Sequence, residues 1–225
     1  RCAFHDRDCR LDDGLPELLA AMRQADAVVL GSPTYVLGAT GVLKNLQDRL
    51  IRYGHVREFL GKPGIALAAA GVPGWEPFAL PQISQVFLFL GMPVVDQFVG
   101  YGQGPGEILL APAALERAEE AGAALGRGEA RFRGEPGACP VCRFDLVTLR
   151  PDGSAYCPLC DLPGSWVEAE GGFRFVPAAG ARSRWSEGVL LEHFGKKILP
   201  SRARFKATTA EIRARLRAFR EGGEP

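Results

Sequence analysis

Leu15, Leu18, Leu19 and Met22 recur at steps of three and four, behind the acidic pair Asp12-Asp13 and with Pro16 in the first turn. That spacing lines up one apolar helical face and predicts a helix over Leu15–Gln24. The pattern then changes. Asp26 is followed by the unbroken apolar run Ala27-Val-Val-Leu30 closed by Gly31, which suits a strand buried on both faces of a parallel sheet. A loop over 32–41 leads into a helix near 42–53. The unit recurs as an apolar run at 65–70, a Gly/Pro-rich loop at 71–77, a helix over 81–90, a strand over 93–99 and a helix over 113–125. Strand, loop and helix in alternation predict an α/β fold with a doubly wound parallel sheet.

Around 126–137 the apolar periodicity gives way to Gly, Arg and Glu, which marks a linker. The predicted organisation is an α/β domain over 1–127, a small four-cysteine unit over 135–178, and a tail over 179–225. In the tail Thr208 and Glu211 fit a capping box opening a helix over 207–220, with Ile212, Leu216 and Phe219 on one stripe.

Composition narrows the class. A chain of 225 residues, 47% hydrophobic and 24% charged, is neither disordered nor fibrous, and a net charge of +1 promises no charged partner for the whole protein. The longest apolar runs fall far short of the ~20 residues that span a bilayer, so no membrane span is expected. Two Cys-x-x-Cys pairs among six cysteines read as metal ligands in a reducing, cytoplasmic setting. The chain opens with Arg1 rather than Met, and a segment upstream is expected.

In open α/β sheets ligands collect at loops leaving the carboxyl ends of strands. One such loop reads Gly31-Ser-Pro-Thr-Tyr-Val-Leu-Gly-Ala-Thr-Gly41; another reads Ala70-Gly-Val-Pro-Gly-Trp-Glu76. Their small and polar residues allow close backbone approach to a flat ring, with Tyr35 or Leu37 packing on it. His55 reads as a solvated or capping residue rather than a catalytic one.

These residues carry a resemblance. Asp12-Asp13, the run Gly31-Ser-Pro-Thr-Tyr35, Leu43-Lys44 with Asp48-Arg49, then Gly61-Lys62-Pro63, Gly91-Met92 and Gly106-Glu107-Ile108 stand in the order found in flavodoxin-like FMN-dependent NAD(P)H oxidoreductases and iron–sulfur flavoproteins. Over 10–126 the chain resembles that family. The resemblance implies FMN contacts from Ser32, Pro33, Thr34, Tyr35, Val36, Leu37 and Gly38, and from Gly71, Val72 and Gly74. It also implies NAD(P)H as donor, a small quinone-like acceptor and a homo-oligomer, with no general acid or base. The family's first strand and phosphate-gripping loop have no counterpart here, so the visible strands correspond to the third, fourth and fifth of the order 2-1-3-4-5, and an apolar sheet edge is expected to lie bare.

Cys139-Pro-Val-Cys142 and Cys157-Pro-Leu-Cys160, joined across the turn signal Pro151-Asp-Gly153, have the spacing of a zinc ribbon. Tetrahedral thiolate sites take zinc or iron. Rubredoxin-like iron knuckles usually carry Gly after the second cysteine of each pair; Arg143 and Asp161 stand there, which favours structural zinc. Phe144, Leu146, Val147, Tyr156, Trp166, Val167, Phe173 and Phe175 are too few to fold the unit without metal. Cys2 and Cys9 read as free thiols.

From Lys196 to Arg220 nine Lys or Arg face one acid, Glu211, but they wind around the helix with little aromatic interleaving, so nucleic acid is not the expected partner. The expectation is an FMN-dependent oxidoreductase with a metal-stabilised β ribbon and a C-terminal helix. A two-centre flavin and iron electron carrier, and a non-catalytic binding module, stand as alternatives.

Overall fold

The computed structural model describes residues 9, 11–135, 137–169 and 172–221. Cys2 lies outside them, as does the Phe219 side chain. The first unit is a four-stranded sheet in the order β2-β1-β3-β4, from β1 (Val28–Tyr35), β2 (Gly38–Ala39), β3 (Gly64–Ala70) and β4 (Val94–Tyr101). The three long strands run parallel, with Leu30 opposite Ala66 and Ala66 opposite Gln97. Helices α1 (Leu15–Gln24), α2 (Gly41–Arg49), α3 (Ile51–Val56), α4 (Ala79–Leu90) and α5 (Pro112–Gly126) surround it.

Alternation along β3 assigns the faces. Ala66 and Ala68 join Leu15, Leu19, Leu43, Tyr53, Ile83 and Phe87 in one core under α1–α4, while Ile65 packs with Val95 and Ala121 under α5. The small alanines allow α4 to sit close. The helices lie on both sides, as a doubly wound sheet requires.

Several resemblance motifs turn out to be architecture. Asp13 accepts Leu15 N–H at the start of α1 and a two-pronged ion pair from Arg49 at the end of α2, at 2.6 and 2.9 Å. Arg49 holds the Asp13 carboxyl below its ordinary range. Lys62 Nζ donates to the carbonyls of Met22, Arg23 and Ala25, closing the C-terminal turn of α1 with a cation where the dipole favours one. Gly91, at φ 76°, terminates α4 in the left-handed conformation that glycine adopts freely.

Local expectations fail where context intervenes. Strand β1 does not stop at Gly31 but runs to Tyr35, and the expected loop 32–41 is a hairpin with β2. Nor is β1 buried on both faces: Val29 is 54% exposed, because α5 covers β3 and β4 only. Among the described residues the outer edge of Val28–Pro33 has no partner strand. The helix expected over 42–53 is two helices. His55 lies within α3, stacked on Phe194 at 4.9 Å, rather than following a helix.

The second unit is an antiparallel sheet of β5 (Thr148–Leu149), β6 (Ser154–Cys157), β7 (Leu162–Ala169) and β8 (Gly172–Pro177). The turn at Pro151-Asp-Gly153 forms as expected, with Asp152 accepting Ser154 N–H. Of the apolar set, Phe175 is buried, whereas Leu146 and Phe173 are exposed; the four cysteines fill the centre instead. This unit packs on the first through Leu88 and Val94. The preceding segment is no free linker, since Arg133 N–H donates to Val95 O on β4.

The tail forms α6 (Glu187–His193), a π-helical turn over Phe194–Ile198 and α7 (Ser201–Arg220). The capping box does not form. The last helix starts at Ser201, and Thr208 Oγ1 sits mid-helix, donating to Arg204 O. No helix among the described residues is long and apolar enough to cross a membrane.

Candidate flavin loops and cysteine centre

At the carboxyl ends of β1 and β3 two segments come together. The hairpin turns at Val36 (φ 49°) and Leu37 (φ 71°), both left-handed, as the mirror-image I′ turn requires. For non-glycine residues this conformation costs roughly 1–3 kcal/mol each, and such strain clusters at ligand sites. The turn is held from below. Ser32 Oγ accepts Thr40 N–H, Gln82 Oε1 accepts Ala39 N–H at 2.7 Å, and Phe78 N–H donates to Leu37 O, tying the second loop to the first. A Cβ on Gly38 would stand 2.7 Å from Gln82 Oε1, so only glycine leaves that contact intact.

The predicted residues divide accordingly. Ser32 and Gly38 are buried and occupied in building the hairpin; Pro33 and Thr34 lie in β1. Val36 is 95% exposed and Tyr35 68%, beside exposed Gly71, Val72 and Gly74 and beside Trp75 at 67%. Thr34 Oγ1 is buried without a partner. Exposed rings, an orphaned hydroxyl and strained peptide groups at two adjacent strand ends fit one face of a flat heteroaromatic group such as the flavin of FMN.

The third loop at this end of the sheet is braced by its own carboxylate. Glu107 accepts Gln103 N–H and Gly104 N–H at 2.7 and 2.6 Å. These bonds, Gly104 first, hold its carboxyl below the ordinary 4.5. The brace is therefore fully present above pH 4.5 and is lost as pH falls through the depressed value. We expect hydrogen exchange at Gln103 and Gly104 to accelerate there beyond its intrinsic pH dependence, and Glu107→Gln to remove the effect; an unchanged pH profile in that variant would refute it. Nearby, Tyr101 OH donates to Glu76 Oε1 at 3.0 Å, and burial together with Glu76 raises the phenol above its ordinary value.

Gln82, Phe78 and the Glu76–Tyr101 pair escaped the sequence reading. Their partners lie 25 to 43 residues away, and no local pattern announces such pairings. Two cavities of about 510 and 430 Å3 exist, but the predicted flavin residues line neither; those residues form an open shelf.

All four predicted metal ligands converge. The Sγ atoms of Cys139, Cys142, Cys157 and Cys160 lie within 4.8 Å of one another, and the residues are buried. Cys139–Cys160 and Cys142–Cys157 stand 3.8 and 3.6 Å apart. A tetrahedron with ~2.3 Å metal–sulfur arms has edges of ~3.8 Å, so the donor set fits a tetrahedral ion. The three neighbouring thiols, Cys142 foremost, hold Cys139 below the ordinary thiol range. Arg143 and Asp161, after the second cysteine of each pair, are both left-handed at φ 58° and 55°. The turn that glycine favours thus forms without glycine, and the residue type there does not separate zinc from iron.

Cys9 sits apart, its Sγ 3.2 Å from Arg49 Nη2. The Leu11 backbone, then Arg49, lower its pKa.

Comparison with known proteins follows this geometry. Residues 2–106 match the family NADPH-dependent FMN reductase. A flavone synthase, cfoJ, from Aspergillus candidus is 30% identical over 195 residues, 74% of this chain and 60% of its own length. An iron-sulfur flavoprotein from Archaeoglobus fulgidus is 30% identical over 130 residues, 57% of this chain and 58% of its own. The chain therefore spans about three fifths of these curated relatives. A solved flavone reductase superposes with a TM-score of 0.67 at 24% identity, over 94% of this chain and 83% of its own, a likeness of fold. The flavodoxin-like sheet, its strand-end loops and this match agree in likening the segment 2–106 to the NADPH-dependent FMN reductases.

Proposed function

We propose that the chain is an FMN-dependent oxidoreductase that takes electrons from NAD(P)H and passes them to a small quinone-like or related aromatic acceptor. The observation that carries this is the pair of strand-end loops, with Tyr35, Val36 and Trp75 exposed around a strained hairpin turn. FMN, when bound, supplies a ring that accepts hydride and returns electrons; the protein supplies orientation and exclusion of water. The chain's own part is to offer Tyr35 and Val72 as apolar contacts, to offer backbone groups from 35–38 and 71–74, and to keep the turn rigid through Gln82 and Phe78. The match of residues 2–106 to the NADPH-dependent FMN reductases supports the donor, and homo-oligomer formation belongs to the same reading.

In the cysteine unit we propose zinc in a structural role, because all four ligands are buried in a closed set with no open position. The left-handed turns at Arg143 and Asp161 are compatible with rubredoxin-like iron as well, and iron would make the chain a two-centre carrier.

Titrating the purified chain with FMN, and reading flavin fluorescence and total metal on one sample, tests both. The expected outcome is quenched, stoichiometric FMN with zinc, and Tyr35→Ala weakening FMN roughly tenfold, about 1.4 kcal/mol. Iron–thiolate absorption would replace zinc by iron. Failure to take up FMN would overturn the oxidoreductase reading and leave a binding module.

A further inference from the structure

The cavity of about 430 Å3 lies between the loop after β3, the start of α4, strand β4 and the first cysteine knuckle. Its volume is that of a small-molecule pocket. Phe78 and Leu80 form one side, Val99 the floor, and Phe144 and Leu146 the other side, with Glu76 among them. The two aromatic rings come from different units, so the pocket exists only because the cysteine module packs against the sheet. That packing is specific. Gln97, on the same strand as Val99, donates from Nε2 to Arg143 O and accepts from Ser84 Oγ, locking the knuckle to β4 and α4.

The polar part of the lining is Glu76, Gln97, Arg143 and Asp145, of which Gln97 is taken up by Arg143 O and Ser84, and Asp145 Oδ1 accepts Ala138 N–H. Glu76 uses Oε1 for Tyr101, while Oε2 is buried with no partner. A buried acceptor left without a donor is costly and is satisfied by a group that brings one. The Arg143 guanidinium is turned elsewhere, over the Phe132 ring at 4.6 Å, so it does not neutralise that carboxylate. The pocket also adjoins the flavin shelf, since Phe78 N–H bonds Leu37 O at the hairpin turn.

We infer that this pocket binds a planar aromatic compound bearing a hydroxyl group, its ring between Phe78 and Phe144 and its hydroxyl donating to Glu76. As the site of the electron acceptor it rests on the flavin reading above; as a binding site it does not. On this view the cysteine module is a wall of the acceptor site.

Calorimetric titration of the full chain with 2-naphthol, and with 2-methoxynaphthalene, which keeps the ring and lacks the donor, tests the inference. Saturable binding of 2-naphthol is expected, at least tenfold tighter than the ether, about 1.4 kcal/mol. Glu76→Gln should shrink that preference several-fold. Leu146→Trp, at the exposed rim and outside every core cluster, should abolish binding of both while the far-ultraviolet dichroism and the melting temperature stay native. Equal affinity for the two probes, or binding untouched by Leu146→Trp, would overturn it. FMN uptake, measured on the same sample, decides the flavin reading separately: a chain that loses FMN but keeps the naphthol preference retains the pocket and loses its assignment as acceptor site.

Discussion

Replacing Cys157 with serine will release the bound metal and unfold the cysteine module while leaving the core of the first sheet in place. Cys157 is fully buried, and its Sγ contacts those of the other three ligands. In small metal units apparent binding energies of roughly 10–16 kcal/mol are folding energy. Here the remaining core is only Ala155, Leu162, Phe175 and Leu88, with partly buried rings around it. Trp166 and Trp185 pack against that cluster, so near-ultraviolet circular dichroism should collapse together with the metal content. Amides in α1, β1 and β3 should keep their protection from exchange, because their core is a separate set of residues. The outer turn of α4 should lose some, since Leu88 belongs to the module's cluster. A Cys157→Ser protein with native dichroism after dialysis against chelator would show that the module folds on its apolar residues alone.

The second large effect is expected at Arg117. Its guanidinium on α5 pairs with Asp96, which is 1% exposed on β4 and also accepts Gln97 N–H at 2.8 Å. Asp96 Oδ2 has no partner, so Arg117 is the main compensation for a carboxylate held out of water. Arg117→Met keeps an aliphatic stem but removes the charge, and with it the guanidinium contact over the Phe98 ring at 5.0 Å. An unpaired buried charge costs roughly 3–5 kcal/mol, which for a chain of this size lowers Tm by about 6–20 °C. Adding Asp96→Asn to the same chain should recover a good part of that loss, because the charge that needed a partner is gone. A drop below about 2 °C, the scale of an ordinary surface change, would mean that Asp96 is served by water instead.

Much of the scaffold was readable before any coordinates. Helix α1, the parallel strands and the four-cysteine centre follow from short-range rules: steps of three and four, unbroken apolar runs, and paired Cys-x-x-Cys. Such patterns act within a few residues, so they survive whatever surrounds them. Motifs recognised by resemblance were legible as markers and not as mechanisms. Asp13, Arg49, Lys62 and Glu107 prove to hold elements together.

The site itself was only half legible. Sequence placed the candidate contacts at 32–38 and 71–74, since Gly, Pro and aromatic residues at strand ends are local signals, although 32–35 belong to β1 rather than to a loop. It did not separate Ser32 and Gly38, buried in the hairpin, from Tyr35 and Val36, which face outward, because that distinction depends on Gln82 of α4 and on Phe78 just before it. The left-handed turn at Val36 and Leu37 ran against residue preference and was hidden for the same reason: strand pairing and those contacts override a local cost of a few kcal/mol.

Local periodicity thus specified which segments become helices, strands and metal knuckles, for those choices rest on spacing along the chain. Tertiary packing alone decided which face of β1 stays bare and that the cysteine knuckle closes a pocket with Phe78 and Glu76. Each of those outcomes is a meeting of residues far apart in sequence, and its energy exists only once those residues are packed together.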